Sequence, residues 1–443
     1  MNYKLPESDY RHLVVGTDTK IPLANGQWVT CINFDNAAST PPLLSVLEEI
    51  NQFSLLYSSI HRGTGYKSQY SSQLYEEARS IVLKFVNADP VNDTAIFVKN
   101  TTEAINKLSY RLQEETRRDV ILSTWMEHHS NDLPWRKKFH VDYVQVNPQG
   151  KLNLEDLERK LIHYKGKVKL VTVTGASNVT GYLNPIHKIA ELAHRYHAKI
   201  LVDGAQMVPH TMVNMRPPNP LQHIDYLAFS AHKMYAPFGT GVLIGPRETF
   251  RQGVSELVGG GTAEVVTHNW VLWNDPPHKD EAGSPNVMGV VALMAAIKTL
   301  TALGMRKIDH YESQLAEYAY SGLKSLPGIT LYSHFSPGER RIGVIPFNVR
   351  GIYHEQVASI LSQAAGIAVR TGCFCTQPYI QKLLSISSKQ MEFYRKNGNF
   401  PRPGVVRVSF GLYNNFNEIN ILLETLEQII RHPTTVSPKC YTI

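Results

Sequence analysis

The residues best placed to do chemistry form one short run, Ser230-Ala231-His232-Lys233. An apolar run, Ile224 to Phe229, precedes it. A turn with Pro237, Gly239 and Gly241 follows, and then a second apolar run, Val242 to Ile244. Both runs have strand length and turn residues at their ends, so the lysine sits in a tight turn at a strand end. Held there and partly desolvated, its amine can form a Schiff base with a carbonyl cofactor; a surface lysine in a hairpin is the plainer alternative. Thr101 and Thr102 stand just ahead of a helix, where they could receive a phosphate or simply cap it. Asp203 ends an apolar strand and could hold a protonated ring nitrogen or close a turn. His128, one of a His-His pair, could stack on a flat ring, move protons, or serve as a polar loop residue. Cys373 and Cys375 lie in VRTGCFCTQP, a glycine-containing loop behind Arg370 whose charge favours thiolate. Two buried thiols are the alternative, a disulfide across one residue being strained. Arg370 and Arg407 could clamp a carboxylate with paired hydrogen bonds, or form structural ion pairs. No Walker loop is present, and Gly239 and Gly241 do not complete a dinucleotide fingerprint.

These residues need a frame, and the chain between about 93 and 244 supplies a regular one. TAIFVKNTT reads as a strand followed by a helix from Glu103 to Leu112. DVILSTWMEHHSN, VDYVQVN, VKLVTVTGASN and AKILVDGAQ read as strands, with helices at Leu154 to Tyr164 and Ile186 to His197. Such alternation predicts an open, mostly parallel α/β sheet, whose ligands bind at the C-terminal ends of the strands. The polar groups Thr101-Thr102, His128-His129, Asn178, Asp203 with Gln206, and Ser230-His232-Lys233 all fall at those ends. Residues 1–30 read as an N-terminal arm with little periodicity, 31–304 as a large α/β domain and 305–443 as a smaller α+β domain. Within the large domain, Pro41-Pro42 open a helix through about Ile60, a loop follows to Ser72, and a helix spans about Gln73 to Val86. Residues 379–404, with five basic residues and one acidic, break the pattern and read as a lid or inserted segment.

The chain has 443 residues, 43% hydrophobic and 19% charged, with a net charge of +7 and no dense Lys/Arg block. That excludes a nucleic-acid arm as the organising feature. The longest apolar stretch, Met288 to Ile297, is far too short for a bilayer span. Lys4, Glu7, Asp9 and Arg11 interrupt any signal-peptide core. The four cysteines suit neither a disulfide framework nor a zinc site, so a cytoplasmic location is expected.

The motifs FDNAAS, HRG at His61, FVKNTTEAIN, MEHHSN-x-x-PW, SNVTG, LVDGAQ, FSAHKMYAPFGTG, EAGSPN, RTGCFC and RVSFGLYN run in this order between Phe34 and Ile430. They resemble those of fold-type I, class V pyridoxal-phosphate enzymes, the aminotransferase-like group that holds cysteine desulfurases and selenocysteine lyases of the SufS type. The resemblance implies that pyridoxal 5'-phosphate is the cofactor and Lys233 its covalent partner. It implies that His128 stacks on the ring, Asp203 pairs with the ring nitrogen and Gln206 contacts the phenolic oxygen. Thr101, Thr102, Ser230 and His232 would hold the phosphate. Ser284, where the family has threonine, would reach the phosphate of a neighbouring subunit. Asn178, Arg370, Arg407 and His61 would bind the amino-acid substrate, and Cys375 aligns with the persulfide cysteine. A homodimer, L-cysteine as substrate, alanine as product and an acceptor protein for the sulfur are further implications. The family's usual Arg-Thr-Gly-His-His-Cys is here Arg-Thr-Gly-Cys-Phe-Cys, closer to molybdenum-cofactor sulfurases, whose extra C-terminal domain is missing. The alternatives are another class V enzyme that does not need Cys375 (a C–S lyase, selenocysteine lyase or amino-acid epimerase) and a catalytically idle scaffold.

Overall fold

A computed structural model describes residues 10–114, 118–335, 339–398 and 400–432. Most of the expected arm thus lies within the described residues, although its first nine do not. Residues 20–30 of it form a hairpin, Lys20–Pro22 against Trp28–Thr30.

The strands of the main sheet are β1 (Asp93–Val98), β2 (Val120–Thr124), β3 (His140–Val144), β4 (Val168–Thr174), β5 (Lys199–Asp203), β6 (Tyr226–Ser230) and β7 (Gly241–Pro246). Their order is β1-β7-β6-β5-β4-β2-β3. β7 runs antiparallel to both its neighbours, and the other pairs are parallel. β1, β2, β4 and β6 are buried along their whole length, as near-continuous Val/Ile/Leu runs require when helices cover both faces. The helices are α1 (Leu44–Ser54), α2 (Tyr66–Phe85), α3 (Thr101–Gln113), α4 (Leu154–His163), α5 (Ile186–Arg195) and α6 (Val287–Leu303). α6 is apolar on nearly every side because it is the core helix under α1 and α2. No single helix among the described residues is long and apolar enough to cross a membrane.

Two boundaries differ from the sequence pattern. α1 ends at Ser54 rather than near Ile60, and α2 starts at Tyr66, seven residues before the apolar repeat begins. The polar first turns of α2 are helical because their serines are consumed by the loop that crosses them. Ser68 donates to Ser59 O (2.6 Å) and Ser71 to Leu56 O (3.3 Å).

α7 (Met305–Ser325) leads to a four-stranded sheet of β8 (Ile329–Leu331), β9 (Val344–Val349), β10 (Arg370–Gly372) and β11 (Val405–Ser409), in the order β8-β9-β11-β10. All its pairs are antiparallel, and α8 (His354–Ala365) and α11 (Phe416–Arg431) complete its core. Ile32 and Phe34, expected with the large unit, pack in this smaller core, and Ile32–Asn33 pairs with Ile367–Ala368. Residues 379–404 hold more structure than a loop. α9 (Gln377–Leu383) buries Tyr379 and Ile380, whereas α10 (Ser388–Lys396) buries none of its side chains.

One close approach fixes the geometry of the sheet's C-terminal edge. A Cβ on Gly241, where β7 begins, would lie 2.7 Å from Asn100 Cα, and Asn100 caps α3. Backbone cannot yield as a side-chain tip can. Gly241→Ala should therefore destabilise the fold by about 2–3 kcal/mol in chemical denaturation. A loss below about 0.5 kcal/mol would mean that α3 is not held there.

Candidate active site

Five strand-end loops deliver their polar residues to one cavity of about 520 Å³ at the C-terminal edge of the main sheet. The loop after β1 delivers Asn100, Thr101 and Thr102. The loop after β2 brings His128 and Ser130, β4 brings Asn178, β5 brings Asp203 and Gln206, and β6 brings Ser230, His232 and Lys233. The smaller unit closes the cavity with Arg370, Phe374, Cys375 and Arg407.

The N-terminus of α3 forms one end. Asn100, rather than a threonine, is the cap: its Oδ1 accepts the Glu103 N–H at 3.0 Å. Thr101 and Thr102 are therefore the first helical residues, whose N–H groups have no intrahelical partner. Thr101 N–H donates to Ser230 Oγ (2.8 Å), the two hydroxyls lie 2.7 Å apart, and Thr102 Oγ1 is 2.6 Å from Ser130 Oγ. Hydroxyls and unpaired N–H groups at a helix N-terminus make an anion site. His232 is kept neutral beside it, pushed down to about 4 by burial and by Lys233.

His128 and Asp203 face the middle of the cavity. Burial, Lys233 and other nearby cations hold His128 at about 3, so its ring is neutral. Its Nδ1 accepts the Ser130 N–H at 3.1 Å. Beneath it lies a buried network that motif reading had left without a role. Glu127 accepts from Thr124 Oγ1 (2.6 Å), Thr174 N (3.0 Å) and Asn131 Nδ2 (2.6 Å), and burial pushes it up to about 8. Burial also raises Asp203, against the Ala205 N–H it accepts and the Lys233 charge. A carboxyl so placed gains most from a cationic partner. Gln206 Nε2 donates to Ala37 O at 2.6 Å, while its buried Oε1 has no hydrogen-bond partner among the described residues.

Lys233 sits one turn beyond β6, and burial lowers its amine to about 8 against the pull of Asp203. Above it are the two arginines. Arg370 and Arg407 are directly opposite each other on β10 and β11, so their side chains share a face. Both reach Asp35: Arg407 Nη2 to Oδ1 at 2.9 Å and Arg370 Nε to Oδ2 at 3.3 Å. Two guanidiniums on one carboxylate leave one positive charge uncompensated, and the buried Arg407 Nε is unpartnered among the described residues. The pair is thus built to take one more anion. Asp35 is the partner that the FDNAAS motif concealed, since it acts across more than 300 residues of sequence. Arg407 Nη1 also donates to Asn178 O (2.9 Å), and Asn178 Nδ2 donates to Phe374 O (3.0 Å).

That last bond holds the cysteine loop. Phe374 and Cys375 both have positive φ (+50° and +54°), and Cys375 O accepts the His129 N–H at 2.7 Å. The strained turn exposes the Cys375 thiol and places it on the cavity wall near Lys233. Cys373 faces elsewhere: it is half-buried, its Sγ lies 3.4 Å from Pro403 O, and burial raises its thiol.

Two expected residues lie apart from the cavity. His61 is exposed, with its ring edge-on to Tyr75 and to His278. Ser284 is exposed next to Gly283, whose N–H donates to Gly260 O.

Residues 32–422 match the family model of the aminotransferase class-V family. A probable cysteine desulfurase of Halalkalibacterium halodurans is 33% identical over 405 residues, 90% of this chain and 92% of that protein. One from Synechocystis sp. is 35% identical over 410 residues, 90% of this chain and 91% of that protein. Among solved structures, an apo cysteine desulfurase from Thermococcus onnurineus NA1 superimposes with a TM-score of 0.80 at 32% identity, covering 90% of this chain and 95% of that one.

Proposed function

The chain belongs to the aminotransferase class-V family, and on that premise we propose that it is a pyridoxal-phosphate-dependent cysteine desulfurase that moves sulfur from L-cysteine to Cys375. The observation that carries this reading is one cavity that joins an exposed thiol, a lysine with a lowered pKa and a pair of arginines with charge to spare.

The residues fit the cofactor. The α3 N-terminus with Thr101, Thr102, Ser230 and His232 suits its phosphate. Asp203 suits a protonated ring nitrogen, the neutral His128 ring suits its face, and the unsatisfied Gln206 Oε1 would accept from its phenolic hydroxyl. Bound there, pyridoxal phosphate supplies a ring that draws electrons from the substrate's Cα. The chain's own residues do the rest. Arg370 and Arg407 take the substrate carboxylate, and Asn178 keeps Arg407 and the cysteine loop in place. Lys233 removes the Cα proton as a neutral amine. The Cys375 thiolate attacks the substrate sulfur: the S–S bond forms, the C–S bond breaks, its electron pair stays on Cβ to be protonated, and the Lys233 ammonium returns a proton to Cα. The products are alanine and a Cys375 persulfide, whose outer sulfur passes to an acceptor thiol.

A homodimer in the cytoplasm completes the proposal. Ser284 and His61 would then serve across the subunit interface. Support comes from the exposed apolar side chains Leu257, Val258, Val266 and Trp270 on the segments beside Ser284. The free thiols Cys31, Cys373 and Cys375 suit a reducing compartment.

The pH dependence follows from Lys233. Its pKa is lowered to about 8, so the amine is neutral above that value and charged below it. Turnover should rise with pH through an apparent pKa near 8 and then level off. A profile that stays flat between about pH 6 and about pH 9 would remove Lys233 as the base. The reading itself is tested with cofactor-loaded protein and L-cysteine under a thiol reductant. Alanine and sulfide should appear in equal amounts; sulfide with pyruvate instead of alanine would make the protein a C–S lyase.

A further inference from the structure

Residues 379–404 leave a groove beside the cysteine loop. One cavity of about 610 Å³ is lined by Cys373 and Gln377, which flank Cys375 in the chain, and by Met391 and Tyr394 of α10. A second cavity continues from it, since Gln381, Met391 and Arg402 line both. Neither shares a lining residue with the cavity that holds Lys233. We infer that this groove is the docking surface for the sulfur acceptor, and that the acceptor is a protein with an acidic face beside its cysteine. The inference rests on Cys375 as the persulfide carrier proposed above.

Position comes first. The acceptor thiolate must take the outer sulfur, with its proton, from the Cys375 persulfide. A new S–S bond forms, the persulfide S–S bond breaks, and its electron pair stays on Cys375 Sγ. A protein that brings a thiol to the exposed Cys375 also meets Cys373 and Gln377, two residues away on either side. α10 lies next along the groove. It has nine residues, is closed at its start by the Ser387–Gln390 capping box, and buries no side chain. A helix that short is marginal in water without packing. Phe393 and Phe400 are 46% and 52% exposed, with ring centroids 5.1 Å apart. Exposed aromatic rings beside a concave floor are the usual anchors for a protein partner.

Charge gives the sign of the partner. Lys382, Lys389, Arg395, Lys396 and Arg402 stand in or beside the groove, against Glu355 and Glu392. Glu392 is shared by Arg395 (2.8 Å) and Lys396 (3.6 Å). Lys382, Lys389 and Arg402 are exposed and have no ion-pair partner among the described residues. An acidic surface therefore gains by docking here, in encounter rate and in register. A second copy of the chain fits less well. Paired across a two-fold axis, the face would meet its own positive charge, and the whole chain carries +7. An anionic bilayer would match the charge but, being flat, would leave both cavities unfilled.

The test uses the full, cofactor-loaded chain, reacted with L-cysteine and freed of the excess so that Cys375 carries the sulfur. It is then mixed with one of two synthetic peptides of equal length, each with one cysteine and one phenylalanine. The first is rich in glutamate, and the second has lysine at the same places; dithiothreitol is the small neutral acceptor. The glutamate peptide should take sulfur about tenfold faster than the lysine peptide in dilute buffer, and the advantage should shrink as salt is added. Arg402→Glu combined with Lys389→Glu should abolish that advantage while dithiothreitol is served at the parent's rate. Arg402→Gln combined with Lys389→Gln, the milder pair, should reduce it. Equal rates for the two peptides would overturn the surface. So would an advantage that survives in both double variants, which would assign it to Arg370 and Arg407. A double variant with an altered oligomeric state would make the face a contact between copies instead. Loss of binding to phosphatidylserine vesicles in the variants, without a peptide preference in the parent, would assign it to a membrane. If dithiothreitol receives no sulfur either, the desulfurase reading itself falls, and the docking surface with it.

Discussion

Lys233→Ala is expected to lower turnover of L-cysteine by on the order of 10⁴-fold or more, because it removes the residue proposed as both the covalent partner of the cofactor and the base at Cα. The same position should show the opposite effect on stability. The fold lowers the Lys233 pKa from 10.5 to about 8, with burial as the main cause. Between those values the unfolded chain binds more protons than the folded one, so stability rises with pH there. Below about pH 8 the full cost of the buried charge is present, about 3 kcal/mol. Lys233→Met should therefore make the cofactor-free protein about 3 kcal/mol more stable at neutral pH, by denaturant unfolding. A functional lysine that stabilised the fold would contradict the burial argument. An inactive but stabilised variant also shows that lost activity is not lost folding.

Cys375→Ala should reduce alanine formation by at least about 10³-fold while the bound cofactor's absorbance is unchanged, since the thiol does not hold the cofactor. Cys373→Ala should keep most of the activity. The contrast follows from a three-residue turn. Cys375 is exposed on the cavity wall, whereas Cys373 is half-buried toward Pro403 O with its thiol raised by burial. Only the thiolate attacks sulfur, so the more accessible thiol in the cationic cavity is the one proposed as nucleophile. Full turnover by Cys375→Ala would exclude sulfur transfer through this residue and favour an enzyme that uses Lys233 alone.

The main sheet and the identity of the cavity residues were legible because β1, β2, β4, β5 and β6 are buried apolar runs, each ending in a polar cluster. Strand direction in such a sheet is enough to bring Thr101, His128, Asn178, Asp203 and Lys233 to one edge. Asp35 was not legible as a partner of Arg370 and Arg407, because that contact joins the N-terminal segment to β10 and β11, far apart in sequence. Glu127 looked like part of a polar loop, yet its side chain is buried and its hydrogen bonds to Thr124, Asn131 and Thr174 tie together the ends of β2 and β4 and the loop that carries His128. The start of α3 was misplaced by two residues, Glu103 for Thr101, because Asn, Thr and Thr are all acceptable as caps there, and only the Glu103 N–H bond decides. Early α2 was hidden because serines that suit a loop also cap passing carbonyls. His61 and Ser284 stand apart from the cavity, and only the proposed dimer would bring them to one.

The most direct measurement is the mass of the peptide that carries Cys375, taken after cofactor-loaded protein meets L-cysteine without reductant and is quenched with an alkylating agent. The account predicts that this peptide is heavier by one sulfur atom, in step with the alanine released, and that the added sulfur is absent from Lys233→Ala. Alanine release with the Cys375 peptide unmodified throughout the first turnover would contradict it.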